Sequence, residues 1–301
     1  MQDTKPYTAE GVTLVVPAFD EELGIDGVVR RLAALDVGAP YELLVVNDGS
    51  SDSTAAKLKV LEAEFDVLRV ITHHTNRGYG AALKTGVIAA AHQTIVITDA
   101  DGTYPEDRIR ELLSHVDDGA DMAVGARIGP EVNIPMIRRP AKNVLRWLAS
   151  YLAGRPIPDL NSGLRAIRRD LVLRYLPIIP DGFSFTTTIS LAALTNGHHV
   201  EYVAIDYATR SGRSKIRPIR DTLGFAGLIV RTVLYFRPLK IFYPLFGILS
   251  LMLGISLYWD IFRVEDAPNL GDKTVVLFLA AVQVVSLGLV ADLIDKKSRL
   301  R

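Results

Sequence analysis

Two apolar stretches near the carboxyl end, Ile241 to Phe262 and Thr274 to Ile294, constrain this chain more than any other feature. Each is about long enough to cross a hydrocarbon layer of roughly 30 Å as a helix. Charges close both stretches: Asp260 and Arg263 end the first, Asp292 and Asp295 the second. A pair of buried core helices is the alternative, and segments this long argue against it. A transmembrane hairpin is therefore expected. Arg237 and Lys240 precede the first span, and Lys296, Lys297, Arg299 and Arg301 follow the second. The connection from Arg263 to Lys273 holds only those two basic residues, beside Glu265, Asp266 and Asp272. The positive-inside bias then predicts an integral membrane protein with both termini, and the large N-terminal domain, on the cytoplasmic face.

The remaining length, out of 301 residues, has room for a substantial soluble domain. Lys and Arg number 34 and so do Asp and Glu, so no overall field points to nucleic acid. The absence of cysteine removes disulfides, thiolate metal sites and cysteine nucleophiles together. Met1 to Gly11 carries no apolar signal-peptide core. Secretion is not expected.

Up to about Tyr207 apolar strands alternate with mixed helices. Thr13–Phe19, Tyr41–Asp48, Val67–His73, Thr94–Asp99 and Asp121–Arg127 read as strands, with a late one at His199–Tyr207. Helices are expected up to about Leu35, from Thr54, through Ala81–Gly86, from Pro105 to Val116 and from Gly182 to Asn196. This order implies an α/β fold, a mostly parallel sheet with helices on both faces. The expected division is an N-terminal α/β domain over 1–216, an interfacial amphipathic helix over 217–238 and the hairpin over 239–301.

The strand Thr94–Thr98 ends in Asp99-Ala100-Asp101-Gly102. Two carboxylates one residue apart can face one small volume, and hard oxygen ligands suit Mg²⁺ or Mn²⁺ with substrate phosphates completing the shell. Such a site belongs at the carboxyl end of a parallel strand. Turn and helix capping by Asp99 and Asp101 is the plainer alternative. Ala141–Leu152, with Trp147 and Tyr151 beside Lys142 and Arg146, suits either the membrane interface or an ordinary surface. Asp159–Arg165 reads as a polar turn, Arg210–Pro218 as a cation-rich loop, and Thr222–Phe236 as a second interfacial helix. The histidines show no zinc spacing, and Gly78-Tyr79-Gly80 lacks the third glycine of a dinucleotide fingerprint.

Taken together, Val16-Pro17-x-x-Asp20-Glu21-Glu22, Val46-Asn47-Asp48-Gly49-Ser50-x-Asp52-Ser53-Thr54, Asp99-Ala100-Asp101-Gly102 and the hairpin resemble one family. It is the family 2, inverting glycosyltransferases of the GT-A (Rossmann-like) fold, of the polyprenyl-phosphate sugar synthase kind, dolichol-phosphate mannose synthases included. The resemblance covers about Thr13 to Pro238. It implies that Pro17, Phe19 and Glu21 cup the nucleotide, and that Val46 and the Asp48 carboxylate recognise base or ribose. Arg77 would pair with phosphate or acceptor, Asp99 and Asp101 would hold Mg²⁺ or Mn²⁺, and Arg127 would lie near the sugar phosphate. Arg138 or Arg139 would meet the lipid phosphate, and Arg213, Ser214 and Lys215 would close over the diphosphate. Asp101, Arg127, Arg213 and Lys215 are the catalytic candidates. The implied partners are a nucleotide-sugar donor, a polyprenyl or dolichyl phosphate and membrane lipids; a homo-oligomer stays open.

Three departures matter. Asp20 stands where the family usually has Asn, and Thr103 and Tyr104 stand where many mannose synthases carry a Gln. Phe183–Thr188 has no acidic residue where polysaccharide synthases keep a catalytic base. A sugar hydroxyl acceptor needs such a base, whereas a lipid phosphate is anionic already. The expected reaction is transfer of one hexose from a GDP-mannose or UDP-glucose type donor to polyprenyl or dolichyl phosphate. The alternatives are a transferase to a sugar or lipid hydroxyl, and a non-catalytic membrane adaptor.

Overall fold

The architecture is that of a computed structural model describing residues 11–128, 139–182, 184–207, 218–262 and 270–299. Contacts divide the chain into two units, Met1–Leu228 and Ile229–Arg301. The division falls inside the helix α8 (Pro218–Phe236), not at either edge of the expected interfacial segment.

The first unit is built on β1 (Val12–Ala18), whose seven residues are all buried, as a central parallel strand covered on both faces requires. Around it run α1 (Ile25–Ala33), β2 (Tyr41–Asn47), α2 (Thr54–Glu64), β3 (Leu68–Thr72), α3 (Tyr79–Ala89) and β4 (Thr94–Ile97). Then come α4 (Ile109–Asp117), β5 (Met122–Arg127), α5 (Arg139–Ala153), β6 (Arg165–Arg168), α6 (Arg169–Tyr175), α7 (Phe185–Thr195) and β7 (Val200–Ile205). The seven strands lie in the order β3-β2-β1-β4-β6-β5-β7. All neighbours are parallel except β6, which runs antiparallel to both β4 and β5. The expected polar turn ends at Arg165, where β6 begins, and the sequence pattern announces no strand there, because four residues bounded by arginines give no apolar run.

Helices cover both faces. One core joins Ile25, Val28 and Leu32 of α1 and Ile109, Leu112 and Val116 of α4 to Leu14, Val16, Leu43, Val45 and Val96. Val15 points the other way, against Gly86 of α3. All 11 residues of α7 are buried.

The sheet opens where the site must be. β1 pairs with β2 along its whole length, from Val12↔Tyr41 to Ala18↔Asn47. With β4 it pairs only from Val12↔Thr94 to Val15↔Ile97. Val15 still accepts a hydrogen bond from Thr98 N (3.2 Å), and then the strands part. Pro17, two residues on, faces the same way, so its missing N–H removes no rung. Strand order reverses at this point, and the crevice outside the carboxyl ends is where open α/β sheets bind ligands.

In the second unit α9 (Leu239–Phe262) and α10 (Asp272–Arg299) form a hairpin. Their apolar spans, Leu239–Phe262 and Asp272–Ile294, are 24 and 23 residues long, enough to cross a membrane. None of α9 is buried within the protein, as expected of a helix facing lipid. Asp260 Oδ2 accepts hydrogen bonds from Gly271 N (2.8 Å) and the Thr274 hydroxyl (2.6 Å), and Ser256 donates to Thr274 (2.7 Å).

Candidate active site

The loops leaving β1 and β2 are sewn together by side chains. Asp20 N donates to Ser50 Oγ (3.0 Å), Glu21 N to Thr54 Oγ1 (3.0 Å) and Glu22 N to Asp52 Oδ2 (3.2 Å). In return Ser51 N donates to Asp20 Oδ1 (2.8 Å) and the Ser53 hydroxyl to Glu22 Oε2 (2.7 Å). Asp20 has φ +51°, a left-handed conformation that Asp and Asn adopt more readily than other side chains. Its departure from the family's Asn therefore keeps the backbone geometry. Pro17 and Val46 are buried and face each other across β1 and β2, while Phe19 and Glu21 are half-buried at the rim.

Asp48 has a task the family pattern does not announce. Its Oδ1 accepts from Arg77 N (3.0 Å) and meets His73 Nδ1 (2.6 Å); Oδ2 accepts from Gly78 N (2.7 Å). His73 Nε2 reaches Thr85 Oγ1 at 2.9 Å. The buried carboxylate thus moulds the 73–78 loop, which leaves the Arg77 side chain exposed. The sequence pattern gives His73 no role; only the fold brings it to Asp48.

Past Thr98 the chain leaves β4 and presents the two carboxylates. Asp101 Oδ1 accepts from the Thr103 hydroxyl (2.7 Å) and N–H (3.1 Å), and Gly102 turns the chain at φ +67°. Asp99 Oδ1 accepts the Tyr79 hydroxyl at 2.9 Å. Burial, reinforced by the charge of Asp99, pushes the Tyr79 and Tyr104 phenols well above the usual range, so both keep their protons. The Tyr104 oxygen accepts Gly163 N–H (2.6 Å), which ties this loop to the turn before β6. Among the described residues no three His, Cys, Asp or Glu side chains form a metal cage.

Arg127, at the end of β5, meets a partner that the sequence marks only as part of a polar turn. Asp159 takes its guanidinium in a fork, Nε–Oδ2 2.7 Å and Nη2–Oδ1 3.0 Å, and accepts its N–H as well. Burial opposes the charge on Arg127, but the hydrogen bonds and charge of Asp159 outweigh it, so its pKa lies above the ordinary value. The guanidinium also stands 5.2 Å from the Tyr207 ring, which packs edge-on against Tyr104. Arg127 is therefore already neutralised within the protein. Arg165 on β6 is wholly buried, with no carboxylate in contact among the described residues. It donates to Thr186 O and Ser190 Oγ of α7, each at 3.2 Å, and to Ser162 O.

Asp181, the acidic residue nearest the Phe183 segment, is paired with Lys84 (2.7 Å). Arg138, Arg213, Ser214 and Lys215 lie outside the described residues, and Arg139 is described only as the backbone start of α5. On α5 Val144, Trp147 and Tyr151 are exposed, with the two rings stacked at 5.8 Å, while Ala149, Leu152 and Ala153 are buried.

The arrangement of crevice, paired carboxylates and hairpin agrees with comparisons to known proteins. Residues 13–176 match Glycosyl transferase family 2, and residues 237–296 match the GtrB C-terminal hairpin. This chain is a family 2 glycosyltransferase. The glycosyltransferase is 30% identical to a dolichyl-phosphate hexose transferase of Haloferax volcanii over 76% of this chain and 96% of that one. It is 29% identical to a polyprenol monophosphomannose synthase of Mycolicibacterium smegmatis, covering 67% and 80%. It is 26% identical to an undecaprenyl-phosphate 4-deoxy-4-formamido-L-arabinose transferase of Klebsiella pneumoniae, covering 95% and 88%. Glucosyl-3-phosphoglycerate synthase from Mycobacterium tuberculosis, solved with Mn²⁺, uridine diphosphate and phosphoglyceric acid, shares its fold. There the TM-score is 0.58 at 20% identity, covering 75% of this chain and 78% of that one.

Proposed function

We propose that this glycosyltransferase moves one hexose from a nucleoside-diphosphate sugar, of the GDP-mannose or UDP-glucose kind, to a polyprenyl or dolichyl phosphate. The observation that carries the reading is the Asp99–Asp101 loop at the parted carboxyl ends of β1 and β4, in a membrane-anchored chain. The names of the relatives, each an enzyme of a polyprenyl or dolichyl phosphate, support the acceptor. Direct attack by that phosphate on an α-linked donor inverts the anomeric centre.

The residues fit a divalent ion. Asp99 and Asp101 are hard oxygen donors, and two carboxylates, with no third such ligand among the described residues, suit an ion that also takes diphosphate and water. Mg²⁺ or Mn²⁺ bound there would offset the charge of the leaving nucleoside diphosphate. Pro17, Phe19, Glu21 and Val46 line the nucleotide end, and Asp48 serves it through the loop that it holds. Arg77, Arg138, Arg139, Arg213, Ser214 and Lys215 bring the two anionic substrates together. A phosphate nucleophile needs no proton acceptor, and the pairing of Asp181 with Lys84 accords with that. The exposed Val144, Trp147 and Tyr151 support a position of α5 in the headgroup layer, and the Lys and Arg distribution supports catalysis on the cytoplasmic side.

The test is incubation of the purified protein with Mg²⁺ or Mn²⁺, a panel of nucleotide sugars and a short polyprenyl phosphate. Mass spectrometry should find a lipid monophosphosugar and identify its sugar. Transfer to a lipid or sugar hydroxyl, with none to the phosphate, would overturn the reading.

A further inference from the structure

We propose that Gly163 is a positioning residue that sets the direction of the Asp99 carboxylate, so that the acidic loop is aimed by the turn before β6. A methyl group at position 163 would stand 2.7 Å from Asp99 Oδ2 and 3.0 Å from both Cγ and Oδ1. These are its three nearest neighbours, so an added side chain is felt first by Asp99. Backbone strain is not the reason for a glycine here, because Gly163 is not among the residues with positive φ. The space is kept for the carboxylate.

The turn is fixed firmly enough to act as a template. Gly163 N–H is held by the Tyr104 hydroxyl oxygen (2.6 Å), and the Ser162 hydroxyl donates to Gly125 O on β5. The Ser162 carbonyl receives the buried Arg165 guanidinium, which is anchored in turn on Thr186 O and Ser190 Oγ. On its other oxygen Asp99 accepts the Tyr79 hydroxyl at 2.9 Å. The carboxylate therefore sits between a phenol and a bare stretch of backbone. A methyl at 163 forces it to rotate, and rotation misaligns or breaks the Tyr79 bond.

The inference rests on the proposed metal role of Asp99, and its test separates the two. Full-length wild type, Gly163→Ala and Asp99→Asn are compared for Mn²⁺ binding with a nucleoside diphosphate present, by electron paramagnetic resonance. Thermal unfolding is followed without metal. Gly163→Ala should weaken Mn²⁺ by about 10–100-fold, the range typical of groups that orient a ligand. Its metal-free melting temperature should stay near wild type, and turnover should recover as Mn²⁺ is raised. Weakening in Asp99→Asn but not in Gly163→Ala overturns the positioning role alone. Unchanged affinity in Asp99→Asn overturns the metal reading and the proposal with it. If Gly163→Ala melts early, Asp99→Ala/Gly163→Ala decides. Recovery to the Asp99→Ala value locates the clash on Asp99, and no recovery overturns the proposal.

Discussion

The two sides of the crevice handle charge in opposite ways. On the β1–β2 side the charges are anionic, and neutral dipoles answer them: Asp20, Glu22 and Asp48 accept from backbone N–H groups and hydroxyls of neighbouring loops. On the β5–β6 side the charges are cationic and lie deeper, Arg127 partly and Arg165 wholly buried. Arg127 is answered by a carboxylate 32 residues away, and Arg165 by carbonyl and hydroxyl oxygens of the turn before β6 and of α7. Of the dipole-held anions, the half-buried Asp20 and Glu22 tolerate exchange for a neutral isostere. A buried cation does not tolerate loss of its partner, because desolvation leaves it nothing else.

Asp159→Ala should break this comparison most visibly, destabilising the protein by about 3–5 kcal/mol as Arg127 loses its buried counter-ion. Denaturant unfolding of the detergent-solubilised protein measures it, and a loss under about 1 kcal/mol would put the two sides on an equal footing. Asp101, on the loop after β4 between the two sides, should show its effect in rate. Asp101→Asn should lower turnover by about 10²–10³-fold, as loss of an electrostatic group at a reacting diphosphate does, with the melting temperature little changed. Full turnover of this variant in the presence of chelator would remove the acidic loop from the chemistry.

Smaller effects sharpen the same contrast. Asp181→Asn should keep turnover within about tenfold, since loss of a true general base costs about 10²–10⁴-fold. A loss of three orders of magnitude with substrate binding intact would favour a hydroxyl acceptor. Asp20→Asn should change stability by no more than about 0.5 kcal/mol, because Asn accepts the same left-handed backbone and the same Ser51 N–H. A larger change would show that the charge of Asp20, and not its shape, holds the loop.

What could be read in the sequence divides along the same line. β1, β2 and β4 are apolar runs closed by acidic turns, and local patterning is enough to place them and Asp99 and Asp101 at their ends. β6 is four residues with an arginine at each end, and an arginine gives no sign that it will be wholly buried. Asp159 looks like a turn residue because its partner on β5 is distant in sequence. His73 looks like a strand end because Asp48 and Thr85 reach it only through the fold. Gly163 resembles any turn glycine, since its crowding comes from a carboxylate 64 positions earlier. Periodicity reports on burial by neighbours in the chain and is silent on pairing at a distance.

The Asp260 contacts at the turn of the hairpin carry a consequence for assembly. Side-chain hydrogen bonds between membrane helices average only about 0.6 kcal/mol, too little to drive association. Yet Ser256, Asp260, Gly271 and Thr274 meet in one arrangement. Sliding one helix by a single turn, about 5.4 Å, would break all three bonds together and strand a carboxylate at the edge of the hydrocarbon. The group works as an index mark: it fixes which rung of α10 lies beside which rung of α9, while lipid and packing hold the pair.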